Sequence, residues 1–376
     1  MKTPRTSSLP PFFTHVIGSL PRPQVVLHLV RGRGEMDRDR YAALMDEMVI
    51  FAIRLQERAG VDVVSDGEWR RIHYTRELFK RLGGTAEIRP FEHHGEVIHT
   101  DVVVSRFSPR EPAFVRDAEF LVKHTDRCTK FALPSPFLIA IRYWDEQYSA
   151  DAYPTAQHLV DHLTQILAAE ASALVEAGID IIQIDDPALT YFCDRNLMGG
   201  AETLDARLNR QWDVDRQIPE AVAAINGIAE GLRAEVHLHC CHSVYKRQSD
   251  VTGDYKPLLP RLSEARIDRV NLEFAYQQTG SVDDLDLLPK HLDVGMGVVD
   301  VRGEHLQSVE QIEQIGAAGA ERIGPARIAL NPDCGFAPDA PEPPTIDEAF
   351  EKLLRLSTAA SRLRHRFGSV ASGDRT

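Results

Sequence analysis

Short apolar stretches of strand length alternate with longer amphipathic segments along this 376-residue chain. Eight such stretches lie at 13–17, 61–65, 129–133, 180–184, 235–239, 269–273, 293–297 and 326–330. Helical periodicity is clear at 37–59, 155–176, 308–322 and 345–366, where Asp37, Ser308 and Thr345 are suitable N-caps. Eight apolar strands, most of them followed by a helix, predict a closed (β/α)8 barrel of the α/β class. A doubly wound open sheet is the alternative.

The stretch 83–128 interrupts this alternation. Apolar and polar residues alternate in EVIHTDVVVSRF (96–107), and the turn signals GG, RP and SPREP surround it. This pattern predicts an antiparallel hairpin inserted after the second strand. We therefore expect one barrel domain over 1–368, with 83–128 as the insertion and 369–376 as a disordered tail.

Composition excludes several classes of protein. The net charge of −13 argues against a nucleic-acid or acidic-membrane partner, since both require clustered Lys and Arg. No apolar run approaches the roughly 18 residues of a membrane span, and the first fifteen residues lack the apolar core of a signal peptide. Five cysteines in a long chain favour reduced thiols in the cytoplasm over a disulfide framework. Such thiols remain available to bind a metal.

Polar residues follow seven of the eight predicted strands, at the end of the barrel where active sites form. His239 and Cys241 follow the fifth strand, Glu273 closes the sixth, and Cys334 follows the eighth. One imidazole, two thiolates and a carboxylate make a plausible tetrahedral zinc set, and zinc activates a substrate thiol as a nucleophile. The alternatives are a vicinal redox pair at Cys240 and Cys241, or a crowded structural turn.

The other cysteines and histidines near this stretch have a simpler interpretation. We expect Cys240, His237 and His242 to pack around the ligands or support them rather than bind the metal. Cys128 and Cys193 stand alone in the sequence and are expected to be buried apolar thiols.

Seven motifs occur in a characteristic order: HVIGSLPRP (15–23), DGEWRR (66–71), IIQIDDPAL (181–189), HCCHS (239–243), VNLEF (270–274), GMGVVDVR (295–302) and NPDCGF (331–336). Together they resemble the catalytic C-terminal half of cobalamin-independent methionine synthase and the short stand-alone proteins of that superfamily. The resemblance covers nearly the whole chain. It implies a (β/α)8 barrel, shared more distantly with uroporphyrinogen decarboxylase.

The resemblance also implies roles for individual residues. The zinc ligands of the family fall on His239, Cys241, Glu273 and Cys334. Its amino-acid thiol is held by a GS loop and two acids, which match Ser19, Glu68 and Asp185. Asp185 is therefore expected to be both a substrate-binding and a catalytic residue. This is chemically reasonable, because carboxylates bind an ammonium group and loop amides bind a carboxylate.

Two positions depart from the family pattern. Arg302 replaces a histidine that donates a proton to the folate leaving group, and Arg142 is the nearest match to a tryptophan that stacks on the pterin. Arginine is no general acid near neutral pH, but it binds phosphate, sulfonate or carboxylate. We expect Arg142 to bind substrate and Arg302 to act in catalysis, the alternative for each being a salt bridge at the barrel rim. His305 is another possible proton donor.

These features predict a zinc-dependent S-methyltransferase that methylates a small thiol, most plausibly homocysteine. The methyl donor could be a methylated folate, a methyl-corrinoid protein or another carrier. The second hypothesis is a zinc-dependent alkyltransferase that uses an epoxide, or another thiol such as coenzyme M. A metal-free decarboxylase and a non-catalytic zinc scaffold are the remaining alternatives. The sequence predicts no oligomeric state.

Overall fold

A computed structural model describes residues 4–71, 75–93, 95–109, 111–202, 206–208, 210–336 and 343–373. Its strands are β1 (Phe13–Thr14), β2 (Val63–Val64), β3 (Thr85–His93), β4 (Glu96–Val103), β5 (Cys128–Pro134), β6 (Ile181–Asp185), β7 (Glu235–His239), β8 (Arg269–Glu273), β9 (Asp293–Val299) and β10 (Ile328–Pro332). Eight of them form one parallel sheet in the order β1-β10-β9-β8-β7-β6-β5-β2, and β3 and β4 form a separate antiparallel pair.

The sheet closes on itself between its first and last strands. His15 and Val63 form a parallel bridge that joins the β1 segment to β2. Asp62 accepts hydrogen bonds from the backbone and the hydroxyl of Thr14 across the same junction. The (β/α)8 barrel predicted from the sequence is therefore confirmed, although β1 and β2 are only two residues long.

Helices surround the barrel: α1 (Pro4–Ser7), α2 (Gln24–Arg31), α3 (Arg38–Arg58), α4 (Arg76–Leu82), α5 (Val115–Lys123), α6 (Pro136–Tyr143), α7 (Glu146–Ser149), α8 (Ala156–Glu176), α9 (Arg195–Met198), α10 (Val214–Ala229), α11 (Val309–Ile323) and α12 (Ile346–Gly373). Asp37 caps α3, and Ser308 forms a capping box with Gln311 at α11, as expected. After β7 and β8 the described chain makes 3-10 turns at Leu259–Glu264 and Val282–Leu287. In the described part of the chain, no helix has the length and apolarity needed to cross a bilayer.

Two boundaries predicted from the sequence need correction. The insertion is narrower than 83–128, because its antiparallel pair covers only β3 and β4 and is followed by the amphipathic helix α5. The last helix continues to Gly373, past the predicted start of the tail at 369. No proline interrupts this stretch, and each residue added to an existing helix gains one backbone hydrogen bond. Residues 374–376 lie outside the described residues.

A polar layer fills the barrel interior below its mouth. The buried Nζ of Lys130 on β5 lies 2.7 Å from Oε1 of Gln183 on β6 and 2.9 Å from Nδ1 of His15. Asn271 on β8 donates to the same Gln183 oxygen at 3.1 Å. Buried polar groups of this kind are tolerated when they are hydrogen-bonded to one another. The layer links the centre of the barrel to the residues at its mouth.

Candidate metal centre and substrate cavity

Three side chains suited to metal binding meet at the carboxyl-terminal mouth of the barrel. His239 ends β7, Cys241 follows two residues later, and Cys334 lies just beyond the end of β10. One ligand atom from each lies within 4.8 Å of the others, and all three side chains are buried. The Sγ atoms of Cys241 and Cys334 are 3.5 Å apart. One imidazole nitrogen and two sulfurs form a donor set typical of zinc sites.

The orientation of the His239 ring fits a metal ligand. Its Nδ1 lies 3.1 Å from Oδ1 of Asp185, the residue paired with it in the neighbouring strand β6. Gln183 donates to the same carboxylate oxygen at 2.7 Å. The second ring nitrogen, Nε2, is buried and makes no hydrogen bond. A carboxylate that holds one nitrogen and leaves the other for the metal is the usual arrangement around zinc-binding histidines.

The electrostatics of the three groups favour a cation between them. The Cys334 thiol donates to Cys241, and together with His239 it lowers the pKa of Cys241 to about 5 despite burial. The same hydrogen bond and burial raise the pKa of Cys334. Burial opposes a charge on His239, but Cys241 and Asp185 outweigh it and raise its pKa to about 10. A zinc ion would replace the protons on His239 and Cys334 as the balancing positive charge.

The fourth predicted ligand, Glu273, lies outside this group of three. Its Oε1 accepts a hydrogen bond from Nη2 of Arg302 at 2.8 Å, and its Oε2 lies 3.0 Å from Nδ1 of His242. Burial acts to raise the pKa of Glu273, but Arg302 and His242 outweigh it and lower the pKa. The carboxylate is therefore charged and has a partner on each oxygen.

Arg302 lies behind the cavity rather than in it. Its side chain is 1% exposed, and its guanidinium carbon lies 4.9 Å from the ring centre of Tyr276. It also donates to the backbone oxygen of Ser243 at 3.0 Å. The described lining of the cavity includes neither Arg302 nor Glu273. Arg302 thus forms a salt bridge with Glu273, as in the alternative considered for it, but the pair is buried rather than at the barrel rim.

A cavity of about 370 Å³ opens over His239, Cys241 and Cys334. The cavity is lined by all four predicted substrate-binding residues, Ser19, Glu68, Asp185 and Arg142. His239, Cys241 and Cys334 also line it. The structure thus brings the four predicted substrate residues to the same space as three of the four predicted ligands. A cavity of this size suits a small molecule.

Local backbone geometry places Glu68 at the base of the cavity. Glu68 has a left-handed backbone with φ of 59°, and Asp66 accepts a hydrogen bond from its amide. A Cβ atom at Gly18 would lie 2.2 Å from Oε1 of Glu68, so the carboxylate needs glycine at that position. Burial, together with Asp185 and Asp66, raises the pKa of Glu68 to about 7, against the opposing effect of Arg71.

Arg142 extends from α6 toward the cavity. Its Nη2 lies 3.2 Å from the Tyr191 hydroxyl and 3.4 Å from the Ser243 hydroxyl. The guanidinium charge of Arg142 contributes to the field inside the cavity. This position agrees with the expected role in binding an anionic group, which stays a prediction.

The inserted hairpin forms one wall of the cavity, a contribution that the sequence did not reveal. The cavity residues from β3 and β4 are Phe91, His93, Ile98, His99 and Thr100. Arg207 also lines the cavity, and its guanidinium carbon lies 4.2 Å from the ring centre of Phe91. His93 packs edge-on against Tyr245 at 4.4 Å, and the Tyr245 hydroxyl donates to Glu96. The alternating pattern of 96–107 is the signal that identifies the hairpin. It carries no information about which face of the barrel the hairpin covers.

Comparison with known proteins agrees with this architecture. Residues 12–361 match the family model described as the catalytic domain of cobalamin-independent synthase. The chain belongs to this family. The match runs from β1 into α12 and includes every residue that lines the cavity or belongs to the group of His239, Cys241 and Cys334.

Relatives in this family span nearly the same length as the chain. A methionine synthase from Pyrococcus horikoshii is 29% identical over 362 residues, which covers 95% of this chain and 94% of the relative. One from Saccharolobus solfataricus is 29% identical over 338 residues, covering 88% and 90%. Among solved structures, a B12-independent methionine synthase from Shewanella sp. W3-18-1 in complex with selenomethionine superposes with a TM-score of 0.77. It is 23% identical and covers 95% of this chain and 99% of its own, so it supports the fold.

Proposed function

We propose that this protein is a zinc-dependent S-methyltransferase that converts homocysteine into methionine. One observation carries the proposal: His239, Cys241 and Cys334 open onto the same cavity as Ser19, Glu68 and Asp185. A donor set for a thiol-activating metal and a set of groups for an amino acid thus lie side by side. Membership of the family and the methionine synthases among the relatives support this assignment.

The zinc ion would be held by Nε2 of His239 and by the sulfur atoms of Cys241 and Cys334. Bound there, zinc would lower the pKa of a substrate thiol and make it a nucleophile at neutral pH. Asp185 orients the His239 ring through its hydrogen bond to Nδ1. The non-bonded Nε2 and the adjacent sulfurs are the features of the structure that fit this ion.

The amino-acid part of the substrate has complementary groups in the cavity. Glu68 and Asp185 place two carboxyl groups where a substrate ammonium group can bind them, and Ser19 lies beside them in the Gly18–Ser19 loop. The close approach of Gly335 to Ser19 fixes that loop, since a Cβ at Gly335 would lie 2.3 Å from the Ser19 hydroxyl. Binding at both ends of the substrate would aim its sulfur at the metal-binding side chains.

Methyl transfer forms a carbon–sulfur bond while the methyl carbon breaks its bond to the donor, whose fragment keeps the electron pair. A folate donor leaves as an amine and needs a proton at that moment. Glu273 raises the pKa of Arg302 against the effect of burial, so this residue keeps its proton. His305 is exposed and outside the described cavity lining. Neither residue supplies a proton in the cavity, so we expect methyltetrahydrofolate to be a poor donor, because general-acid catalysis is worth about 10²–10⁴-fold. His93 and His99, which line the cavity, are the remaining histidines to test as proton donors.

One observation favours the second function, alkylation of an anionic thiol such as coenzyme M by an epoxide. Arg142 lines the cavity, so a sulfonate bound beside it would gain a charged partner. The two carboxyl groups of Glu68 and Asp185 oppose this function, because they repel a thiol that lacks an ammonium group.

The activity is tested by mixing the zinc-loaded protein with homocysteine and, in separate reactions, methylcobalamin, methyltetrahydrofolate and its polyglutamyl form. Methionine formation from at least one donor, lost after zinc removal and regained on its return, is expected. Coenzyme M with a short epoxide serves as the competing reaction. Turnover of that pair without turnover of homocysteine would contradict the proposal.

The metal ligands are tested by elemental analysis of three serine variants. We expect Cys241→Ser and Cys334→Ser to lose the zinc or bind it at least about tenfold more weakly, because each removes one ligand. Cys240→Ser is the matched control, since Cys240 is equally buried and adjacent but lies outside the group of three. Full zinc content in Cys334→Ser would contradict the assignment.

A further inference from the structure

The hairpin of β3 and β4 has a base that is packed into the protein and an outer part, residues 89–93 and 95–99, that reaches over the cavity. At the base, the Val103 backbone oxygen accepts a hydrogen bond from the Ser149 hydroxyl at 2.6 Å. Just after β4, the Phe107 amide donates to the Tyr153 hydroxyl at 2.9 Å. Val103 and Phe107 are buried in the large core, whereas Val97 in the outer hairpin is 72% exposed. The base is therefore fixed by contacts that the outer hairpin does not share.

The pairing of β3 with β4 is interrupted where the outer hairpin begins. The register shifts between Glu87 and Arg89, which makes Ile88 an extra residue opposite the partner strand. Pro90 follows two residues later and has no backbone N–H to donate to the ladder. A bulge disrupts the ladder locally and bends the strand that carries it. The outer hairpin is thus joined to its base through a short segment suited to act as a hinge.

Polar contacts with the loop after β7 hold the tip of the hairpin. Glu96 accepts a hydrogen bond from the Tyr245 hydroxyl at 3.0 Å and another from the Lys246 ammonium group. The His93 ring packs edge-on against Tyr245, and its Nε2 lies 3.8 Å from Oδ1 of Asp250. The Glu96 and Lys246 side chains are 49% and 32% exposed. Because exposed ion pairs contribute little to stability, these contacts hold the tip in place without locking it.

With the hairpin in this position, the cavity has room for little more than one small substrate. Its volume of about 370 Å³ is near the lower limit of the roughly 300–1,000 Å³ typical of small-molecule pockets. Homocysteine bound at Glu68 and Asp185 would fill part of this space. Methyl transfer needs a second molecule at the same time, and the folate and corrinoid donors considered above are much bulkier than homocysteine. The wall formed by Phe91, His93 and Ile98 therefore has to move before such a donor can reach the substrate sulfur.

We propose that the outer hairpin is a lid, which is closed in this structure and opens about the Ile88 bulge to admit the second substrate. The contacts of Glu96 with Tyr245 and Lys246 are its latch. The inference rests on the proposed function only for the identity of that second substrate. Closure over both substrates would then exclude water from the reacting groups, which is the usual role of such lids.

Hydrogen–deuterium exchange of the substrate-free protein tests whether the outer hairpin opens as a unit. Glu96→Ala and Lys246→Met should each raise exchange by a common factor of about threefold across 91–93 and 96–99, since each removes an exposed ion pair. Exchange at 101–103 should stay as in wild type, because the base remains packed. Glu92→Ala is the matched control, an exposed acid of the same hairpin outside the latch, and it should behave as wild type. Unchanged exchange in both latch variants, or a change confined to residue 96 and its neighbours, would overturn the proposal.

A reversible lock tests whether opening serves the reaction. A double variant with Glu96→Cys and Lys246→Cys places two thiols at the latch, whereas the five native cysteines are all buried. Cross-linking the zinc-loaded variant with a short bis-maleimide that has a cleavable spacer should abolish methyl transfer to homocysteine from methylcobalamin or methyltetrahydrofolate. Cleaving the spacer should restore it. Equal turnover of the locked and unlocked variant would overturn the lid. If wild type itself forms no methionine from either donor, the proposed function fails instead, and the exchange experiment alone decides whether the lid exists.

Discussion

Glu68 shows how one residue is set up for a task by its surroundings. Its backbone is left-handed, its half-buried side chain lines the cavity, and Gly18 leaves room for its carboxyl group. A second acid, Asp185, lines the same space and adds to the effect of burial on the pKa of Glu68, which is raised to about 7. The charge on this side chain therefore changes within the physiological pH range.

We expect the binding of homocysteine to tighten as the pH rises through about 7. The pKa of Glu68 is raised from 4.5, so its carboxylate form dominates only above about pH 7, and only that form binds an ammonium group by charge. For a single group, the ionised fraction increases about tenfold between pH 6 and 8, and the KM should fall by a similar factor. Steady-state kinetics across this range measure the effect.

Glu68→Gln is the control for this pH dependence. It keeps the size of the side chain and removes the titration, so its KM should be higher than that of wild type at pH 8 and should vary little with pH. An equally steep fall in KM in Glu68→Gln would assign the titration to another group. Zinc content should be the same in both proteins, because Glu68 lies outside the group of three metal-binding residues.

At the scale of single residues, strand-end positions were enough to place much of the site. His239, Cys241 and Cys334 follow strands that the sequence identifies, and all barrel strands end at the same mouth. The ion pair between Arg302 and Glu273 could not be predicted from the sequence in this way. The position of a residue at a strand end predicts where its backbone lies. It does not predict whether a charged side chain points into the cavity or pairs with an opposite charge on the next strand.

Individual elements carry polar residues into the barrel interior as well as to its mouth. Lys130 lies in the middle of β5, where a parallel strand is otherwise apolar, and it is 1% exposed. Burial lowers its pKa to about 7, although Asp185 and Glu68 act in the opposite direction. In the unfolded chain the same amine has a pKa near 10.5.

We expect this lysine to make the protein more stable as the pH rises from about 7 to 10. In this window the unfolded state holds a proton on Lys130 that the folded state has lost, so raising the pH favours folding. The contribution to the unfolding free energy should approach about 1.4 kcal/mol per pH unit. Denaturant titrations of wild type and Lys130→Met should give curves against pH that differ by this slope. The exposed Lys123 on α5 provides the matched control, and the stability of Lys123→Met should depend on pH as that of wild type does. If the stability curves of Lys130→Met and wild type run parallel with pH, the expectation is wrong.

The sequence identified elements where their pattern was regular. The strands β5 to β10 and the helices α3, α8, α11 and α12 fall within or close to the predicted ranges. The other helices were not predicted. Among them, α6 is buried along nearly its whole length and so lacks a polar face, and α10 contains Pro219. A helix that is apolar all round has no 3.6-residue period to detect.

The whole molecule is held by a core that does not depend on the metal centre. Side chains from β2, from β5 to β10 and from most helices form one large buried cluster, and Phe13 of β1 belongs to a second, smaller cluster with Val63, Cys128, Ile181 and Ala329. Arg364 on α12 donates to the backbone oxygens of Pro11 and Phe12 and pairs with Asp62, which ties the last helix to the junction of β1 and β2. The barrel is therefore closed by contacts far from His239, Cys241 and Cys334.

Removal of the metal should leave the fold intact. A ligand that binds only the folded state adds about 2.7 kcal/mol of stability when present at a hundred times its dissociation constant, so chelation should lower the thermal midpoint by no more than about 10 °C. Circular dichroism before and after dialysis against a chelator should show the same helix content and one cooperative transition. Loss of helical signal on chelation would show that the metal is part of the structural core.

The cavity has a lining of two kinds. The residues proposed to bind the metal and the amino acid come mostly from strand ends spread across the barrel, whereas Phe91, His93, Ile98, His99 and Thr100 come from one short stretch of sequence, the hairpin of β3 and β4. Substitutions or length changes within 85–103 can therefore alter the outer wall without disturbing the ligands. If the proposed thiol chemistry is correct, such a chain can acquire a new second substrate through variation in this single segment, while the side chains proposed to bind the metal stay unchanged.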